Sequence, residues 1–113
     1  MHELSIVMSI VETAEERVRE HHAHSVEEID LVIGALAGID SQALDLAWDS
    51  AVKNTVLQAA KKNIIHLPGK AKCLDCDCEF DILVQFEQCP ICGKPLLQIL
   101  QGKELQIQSM VLN

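Results

Sequence analysis

Four cysteines arranged in two close pairs are the residues of this sequence best suited to chemistry. The pattern is C-x2-C-x12-C-x2-C, formed by Cys73, Cys76, Cys89 and Cys92. A tetrahedral zinc ion takes thiolate sulfurs at about 2.3 Å, and each C-x2-C turn presents two of them on one side. The pattern therefore predicts a closed zinc site with four thiolate ligands. Because no coordination position stays open for water, we expect this zinc to hold structure and not to catalyse a reaction.

Turn-forming residues surround the second pair of cysteines. In "CPICGKP", Pro90 presets its own φ and Gly93 can take a positive φ after the second ligand. The segment between the pairs can hold a short hairpin, predicted over "EFDILVQFEQ" (79–88), that brings the two turns together. Cys78, the fifth cysteine, is an alternative ligand to Cys76. Since Cys76 gives the regular spacing, we expect Cys78 to be a spare thiol beside the site.

Two other functions also use cysteine pairs of this kind. A single C-x2-C at a strand-to-helix corner is typical of a redox dithiol, but here there are two pairs and neither precedes a helical pattern. A zinc ribbon that binds nucleic acid needs a basic surface. Residues 70–95 instead carry three lysines and five acidic residues, and the whole chain has a formal charge of −8. The charge therefore predicts no nucleic-acid partner.

Composition limits the class of protein. The chain has 113 residues, 49% of them hydrophobic, which suits one domain or a small pair. No apolar run reaches the roughly 20 residues of a membrane helix, and the start lacks the features of a signal peptide. We therefore expect a cytoplasmic protein without a membrane partner. In that reducing compartment, cysteines are better explained as metal ligands or reactive thiols than as disulfides.

Hydrophobic periodicity places the cysteines within an ordered chain. We expect, in order, a helix over about 4–22, a strand over 29–36 ("IDLVIGAL"), a helix over 42–56 with Ser41 as N-cap, a strand over 62–68 ("KNIIHLP") and a last strand over 104–112. The first helix has apolar residues at helical spacing, namely Leu4, Val7, Met8, Val11, Ala14 and Val18. The inward stripe of the second is predicted as Leu44, Ala47, Trp48 and Ala51.

These elements predict an α+β fold. It is a small αβαβ body with a mixed sheet, plus a zinc-ribbon-like four-cysteine domain inserted before the last strand. Pro68–Gly69 and Gly102 are the expected hinges. The predicted division is a domain over 1–69, completed by the C-terminal strand 103–113, and a zinc-binding domain over 70–102.

The first three residues form a second candidate metal site. The Met1 amine and the His2 amide nitrogen close a five-membered chelate ring, and the His2 amide and imidazole Nδ1 close a six-membered one. A nitrogen from Glu3 completes a planar set, which suits Ni(II) or Cu(II) better than zinc. The chelate requires that Met1 is the native, unblocked start. The alternative is a solvated tail without function.

The other histidines have simpler explanations. His21, His22 and His24 could form a further metal site, but a helix end also favours imidazolium through the helix dipole. His66, within a predicted strand, is expected to be structural. Trp48, at helical spacing with Leu44, is expected in the core.

Taken together, "MHELS", "IGALAGID" and "CLDCDCEF…CPICGKPLLQI" resemble the HypA/HybF hydrogenase maturation proteins over essentially the whole chain. The resemblance implies a nickel site at the start, carried by His2 with help from Met1 and Glu3. It also implies a structural zinc held by the four cysteines of the C-x2-C pairs. Cys78 and the "HHAH" stretch receive no role from it.

The resemblance implies a function that is not enzymatic. Such proteins are nickel metallochaperones that help insert nickel into the [NiFe]-hydrogenase large subunit precursor together with the HypB GTPase. Some also serve urease maturation proteins. Monomer and homodimer both stay open. The rival functions are a zinc-dependent protein-interaction module with an inert terminus and a dithiol oxidoreductase.

Overall fold

The computed structural model of the chain describes residues 3–84 and 87–113. Its helices are α1 (Glu3–Glu20) and α2 (Ser41–Ala51). Its strands are β1 (Val26–Gly34), β2 (Lys61–Leu67), β3 (Gly69–Cys73), β4 (Glu79–Ile82), β5 (Leu97–Gln101) and β6 (Leu105–Leu112). The α+β class and the element order of the body are as the sequence predicted. None of the helices in these described ranges is long and apolar enough to cross a membrane.

The strands form two three-stranded sheets, ordered β2-β1-β6 and β4-β3-β5. In the first sheet β6 runs antiparallel to β1, since the Asn113 N–H donates to the Ser25 carbonyl and the Gly34 N–H to the Glu104 carbonyl. Strand β2 runs in the direction of β1, since the Asn63 side chain donates to Glu28 and Asp30 within the strands and the Ala35 N–H donates to the Leu67 carbonyl near their ends. This sheet is therefore mixed, as predicted. The second sheet is antiparallel throughout.

The chain separates into two compact units. The first comprises Met1–Leu31, Ile39–Ile64 and Ile107–Asn113, and the second Val32–Gly38 and Ile65–Gln106. The first unit holds both helices, and the second holds the whole four-cysteine segment. The predicted domain division, 1–69 with 103–113 and 70–102, stays a prediction.

The core of the first unit lies along one stripe of each helix. The buried residues of α1 are Val7, Ile10, Ala14 and Val18, and those of α2 are Leu44 and Trp48. Ala47 and Ala51 are half-buried beside them. Leu4 and Met8 share the helical spacing but are 52% and 58% exposed, because they lie on a neighbouring face of α1. Two apolar side chains in the first two turns of α1 therefore remain accessible.

Helix α2 differs from its prediction at both ends. Its N-cap is Asp40, not Ser41: an oxygen of the Asp40 side chain accepts hydrogen bonds from the backbone N–H groups of Gln42 and Ala43. The helix ends at Ala51 and not near residue 56. A turn follows in which Asn54 has a φ of 62° and its N–H donates to the Gln58 side chain. These local side-chain bonds compete with helix continuation.

The strands also shift relative to the sequence prediction. Strand β1 begins three residues before the predicted start and ends at Gly34. At Gly34 the backbone lies so close to the carbonyl of Gly102 that a Cβ would collide with it. The predicted hairpin over 79–88 includes residues 85 and 86, which lie outside the described residues, and its described strand pairs with a strand outside that range. Its first part is β4, and β4 pairs with β3 over Gly69–Lys72. Strands β3 and β5 were not predicted, since both are short and β3 contains two lysines.

The second unit has its own small core. Leu36, Ala71 and Ile82 are buried together, and Phe80, Leu97 and Ile99 pack against them. Ala71 is central, because it faces Phe80 on β4 and Ile99 on β5. This core includes Ala71 of β3, two residues before Cys73, where the strand ends and the cysteine segment begins.

Candidate metal centre

The first cysteine pair lies in a tight backbone turn at the end of β3. The Asp77 N–H donates to the Cys73 carbonyl, and the Cys73 N–H donates to the Cys78 carbonyl, both at 2.9 Å. Asp77 takes a φ of 60°, a left-handed conformation that aspartate tolerates better than most residues. Cys73 therefore opens the turn, and Cys78 closes it through its backbone.

The second pair repeats the same hydrogen-bond pattern. The Gly93 N–H donates to the Cys89 carbonyl at 2.9 Å, and the Cys89 N–H donates to the Lys94 carbonyl at 3.0 Å. Gly93 has a φ of 73° at the position that Asp77 occupies in the first turn. Each turn thus presents the sulfurs of residues i and i+3 on one side. Cys78 corresponds to Lys94, the residue that closes the second turn.

The two turns bring four sulfurs together. Among the residues that the structure describes, the one group of three or more metal-ligating side chains is Cys73, Cys76, Cys89 and Cys92. All four Sγ atoms lie within 4.8 Å of one another, with 3.5 Å between Cys73 and Cys92 and 3.6 Å between Cys76 and Cys89. A tetrahedral site with Zn–S bonds of about 2.3 Å requires sulfur separations of about 3.8 Å. The cluster therefore has the size of a four-thiolate metal site, and Cys78 lies outside it.

The pKa values of the cysteine thiols in the cluster indicate which of them carry protons that a bound cation would displace. Backbone N–H groups of Cys92 and Ile91 donate to the Cys89 sulfur and lower its pKa to about 6. The Cys78 N–H lowers the pKa of Cys76, but desolvation and hydrogen bonds with the neighbouring sulfurs raise it to about 12. The pKa of Cys92 is also raised: the Lys94 N–H lowers it, but desolvation and the Cys73 and Cys89 sulfurs outweigh that effect. Four adjacent sulfurs cannot all be thiolates without a compensating positive charge.

Two ion pairs flank the turns. Lys94 Nζ lies 2.5 Å from a carboxylate oxygen of Asp75, which joins the second turn to the first. Lys72 Nζ lies 3.6 Å from Asp77. Two of the three lysines in this segment are therefore engaged by local acids.

The proposed nickel ligands lie largely outside the described residues. Met1 and His2 are not described, while Glu3 is the first residue of α1. The half-buried Glu3 carboxylate accepts a hydrogen bond from the Asp40 backbone N–H at 3.3 Å. Nothing in the sequence pattern indicated this contact, because the two residues are far apart along the chain.

The remaining histidines are not brought together with other ligands. His21, His22 and His24 follow the end of α1 and are exposed; none belongs to a metal-ligating group among residues 3–84 and 87–113. His66 is exposed on β2. Trp48 is buried, as predicted, and Lys62 Nζ lies 5.1 Å from the centre of its ring.

The chain is similar to known proteins over nearly its whole length. A family model described as "Hydrogenase/urease nickel incorporation, metallochaperone, hypA" matches residues 1–112. The hydrogenase maturation factor HypA of Parabacteroides distasonis is 44% identical over 112 residues, which cover 99% of this chain and 97% of that protein. HypA of Francisella philomiragia is 38% identical over 113 residues, the full length of both.

A solved structure agrees with these sequence relatives. The solution structure of the Ni metallochaperone HypA from Helicobacter pylori superposes with a TM-score of 0.70 at 25% identity, covering 99% of this chain and 97% of that one. Sequence and fold similarity thus extend over both compact units and the four-cysteine cluster. The chain belongs to the HypA family of nickel-incorporation metallochaperones for hydrogenase and urease.

Proposed function

We propose that this protein binds Ni(II) at its amino terminus and assists nickel insertion into the [NiFe]-hydrogenase large subunit precursor. The observation that carries the proposal is the family match over residues 1–112, which includes the start of the chain. The planar nitrogen set of Met1, His2 and Glu3 supplies the chemistry. Nickel is cargo in this function, so the protein binds and releases it without transforming a substrate, and we do not expect an enzyme.

The contact made by Glu3 supports a nickel site built from nitrogens. Its carboxylate is engaged by the Asp40 N–H at 3.3 Å, which anchors the residue directly behind His2 to the start of α2. Its backbone amide nitrogen lies in the first turn of α1, where N–H groups have no partner within the helix. The nickel site therefore adjoins a fixed helix terminus.

We propose zinc as the resident ion of the cysteine cluster. The ligands would be Cys73, Cys76, Cys89 and Cys92, because their sulfurs have tetrahedral separations. Zinc bound there would replace the protons as the positive charge that neutralises the thiolates. It would also link the turn that begins at Cys73 to the turn that begins at Cys89. A site with four thiolates leaves no position for nickel or water, so the cargo site and the structural site are chemically separate.

The partner of the amino-terminal region is proposed to be the HypB GTPase, in the cytoplasm. Leu4 and Met8 lie one turn apart on α1 and are 52% and 58% exposed. They offer an apolar contact adjacent to the nickel ligands, where a nickel-exchanging partner has to bind. Hydrogenase precursor and urease maturation proteins are the proposed recipients of the metal.

Nickel titration of zinc-loaded protein that starts with an unblocked Met1 tests this function. We expect one nickel per chain for the wild type and none for His2→Ala, with zinc content and fold unchanged. His66→Ala, an exposed histidine on β2, is the matched control and should bind like the wild type. A residue added before Met1 should act like His2→Ala, because it removes the α-amine from the chelate.

The same titration distinguishes the rival functions. Equal nickel stoichiometry and affinity in wild type and His2→Ala would remove His2 from the site and direct attention to His21, His22 and His24. Zinc without any nickel would favour the protein-interaction module. Reversible thiol–disulfide cycling that stops when metal is bound would favour the oxidoreductase. Complementation of hydrogenase activity by the wild type but not by His2→Ala completes the test.

A further inference from the structure

The first sheet has an outer face, turned away from the helices, and its central strand β1 carries two carboxylates on that face. The inner face is marked by Lys62 of β2, whose Nζ lies 5.1 Å from the centre of the buried Trp48 ring on α2. Asn63 follows Lys62 in the strand and therefore points to the opposite side of the sheet. Its side-chain amide donates to Glu28 at 2.6 Å and to Asp30 at 2.8 Å. Both carboxylates thus lie on the outer face.

The third strand of the sheet adds apolar side chains to the same face. The Ser109 hydroxyl of β6 donates to Asp30 at 3.0 Å, so Ser109 also lies on the outer face. Ile107 and Val111 are two residues away from Ser109 in either direction and share its side of the strand. Val111 is 48% exposed, while Glu28 and Asp30 are half-buried. The outer face is therefore an accessible surface that sets two carboxylates beside aliphatic side chains.

Neither carboxylate has a cationic partner. None of the ion pairs among residues 3–84 and 87–113 includes Glu28 or Asp30, which accept hydrogen bonds only from a neutral amide and a neutral hydroxyl. Lys61 of β2 is on the same side of its strand as Asn63, but it forms no ion pair with either of them within these residues. Residues two apart in a strand are separated by only about 7 Å, so the two negative charges repel each other. Acidic residues are also disfavoured in strands. Strand β1 therefore carries a cost that a bound cation would offset.

We propose that this outer face is a protein-docking surface, on which Glu28 and Asp30 bind an arginine that a partner protein presents between apolar side chains. Charge complementarity selects a cationic partner, and the planar guanidinium offers five donors to carboxylate oxygens where a lysine offers a point charge. Ile107 and Val111 supply apolar contacts for the residues that flank the arginine. A second copy is not the occupant, because a two-fold contact would set these carboxylates against themselves. The inference does not rest on nickel binding at the amino terminus.

The test is an NMR titration of the isotope-labelled, zinc-loaded, nickel-free full chain. The probe is a peptide with blocked ends that carries one arginine within alternating valine and serine residues. We expect it to shift the amide signals of Glu28, Asp30, Asn63 and Ser109. The same peptide with citrulline in place of arginine keeps the shape and loses the charge, so it should bind at least about tenfold more weakly.

Two double variants show whether the arginine contacts these carboxylates. Glu28→Gln with Asp30→Asn should weaken binding of the arginine peptide at least about tenfold and should bind both peptides alike, because the pairwise contact is gone. Glu12→Gln with Asp49→Asn makes the same charge change at exposed positions on α1 and α2 and is the matched control. It should keep the preference for arginine.

Urea unfolding separates docking from a structural role of the carboxylates. The Glu28→Gln and Asp30→Asn substitutions keep groups that can hydrogen-bond and remove the repulsion between the two charges. The unfolding midpoint of this variant should therefore be no lower than that of the wild type.

Four outcomes would overturn the proposal. The first is the absence of shifts at these amides up to millimolar peptide, and the second is equal binding of the arginine and citrulline peptides. The third is a midpoint that falls in Glu28→Gln with Asp30→Asn but not in the control, which would make the carboxylates a structural network. The fourth is displacement of the peptide by magnesium chloride but not by sodium chloride of equal ionic strength, which would assign the carboxylates to a metal ion.

Discussion

The Glu3 carboxylate accepts a hydrogen bond from the backbone N–H of Asp40, at 3.3 Å, across 37 positions of sequence. Asp40 is also the N-cap of α2, so its side chain and backbone serve two different partners. The bond fixes the first turn of α1 to the start of α2. It therefore places the residue that follows His2 at a defined point of the first unit.

This contact predicts different behaviour for two substitutions of Glu3. Glu3→Gln keeps an acceptor oxygen, so nickel affinity should stay within about threefold of the wild type. Glu3→Ala loses the anchor and should weaken nickel binding by up to about tenfold, since the free terminus must then be ordered on binding. The stoichiometry should stay at one in both, because the backbone amide remains. Nickel titration checks this. If Glu3→Gln lost nickel as completely as His2→Ala, the carboxylate itself would be a ligand.

Removal of the N-cap should destabilise the first unit without affecting the metal cluster. Asp40→Ala leaves the Gln42 and Ala43 N–H groups without their acceptor and should cost about 0.5–2 kcal/mol of unfolding free energy. Asp40→Asn retains an acceptor and should cost much less. Asp49→Ala, an exposed position within α2, is the control for loss of a carboxylate. Urea unfolding of the zinc-loaded protein measures all three. A loss as large in Asp49→Ala would show that charge and not capping is responsible.

Single cysteine substitutions should separate the cluster from the spare thiol. Cys76→Ala removes one of four ligands and should release zinc, disordering the cysteine segment while the helices of the first unit stay folded. Cys78→Ala should retain one zinc per chain, because Cys78 closes the turn through its carbonyl, which alanine keeps. Zinc analysis with circular dichroism gives both readouts. Zinc lost from Cys78→Ala but kept by Cys76→Ala would reverse the assignment.

Zinc binding to the metal-free protein should release fewer than four protons at neutral pH. Cys89, with a pKa of about 6, is already largely a thiolate at pH 7.5, whereas the raised pKa values of Cys76 and Cys92 keep those thiols protonated until zinc displaces their protons. The count should rise as pH falls through about 6, because Cys89 then gains a proton that zinc must displace. Calorimetry in buffers of different ionisation enthalpy measures the count. Four protons at pH 7.5 would contradict the lowered pKa.

The lowered pKa of Cys89 also has a consequence for the metal-free fold. A depressed folded-state pKa contributes stability above the unfolded-state pKa, and this contribution is lost as pH falls through about 6. We therefore expect the second turn to loosen below pH 6 in metal-free protein. Zinc should remove this dependence near pH 6, because the Cys89 thiolate is then held by the metal, and circular dichroism of metal-free and zinc-loaded protein between pH 5 and 8 measures the difference.

The exposed apolar pair on α1 predicts where the GTPase binds. Leu4→Ser with Met8→Ser should weaken HypB binding at least about tenfold while leaving nickel stoichiometry unchanged, since exposed side chains add little to folding. Leu46→Ser removes the 73% exposed leucine of α2 and serves as the control. Binding is measured by calorimetry with purified HypB. An equal effect of Leu46→Ser would indicate a general loss of surface hydrophobicity and not a docking site.

Local patterns were enough to predict much of this protein. Helical spacing predicted both helices, and alternation or β-branched runs predicted β1, β2 and β6, because these signals depend on residues a few positions apart. The C-x2-C spacing indicated which four sulfurs would cluster, since each turn is a local structure. The resemblance to the HypA/HybF family rested on the same short motifs and agrees with the family match.

Strand pairing and side-chain contacts between residues far apart in the sequence were determined only by the tertiary structure. Strands β3 and β5 exist because each pairs across the cysteine segment, and nothing in "GKAKC" or "LQILQ" alone distinguishes them from loop. The regular spacing already predicted that Cys78 is a spare thiol, but the fold supplied the physical reason, because Cys78 closes the first turn through its backbone carbonyl. The contact between Glu3 and Asp40 likewise required the fold. Sequence periodicity records which side of an element is buried, whereas pairing and side-chain anchoring depend on which elements meet, and that is determined only when the chain has folded.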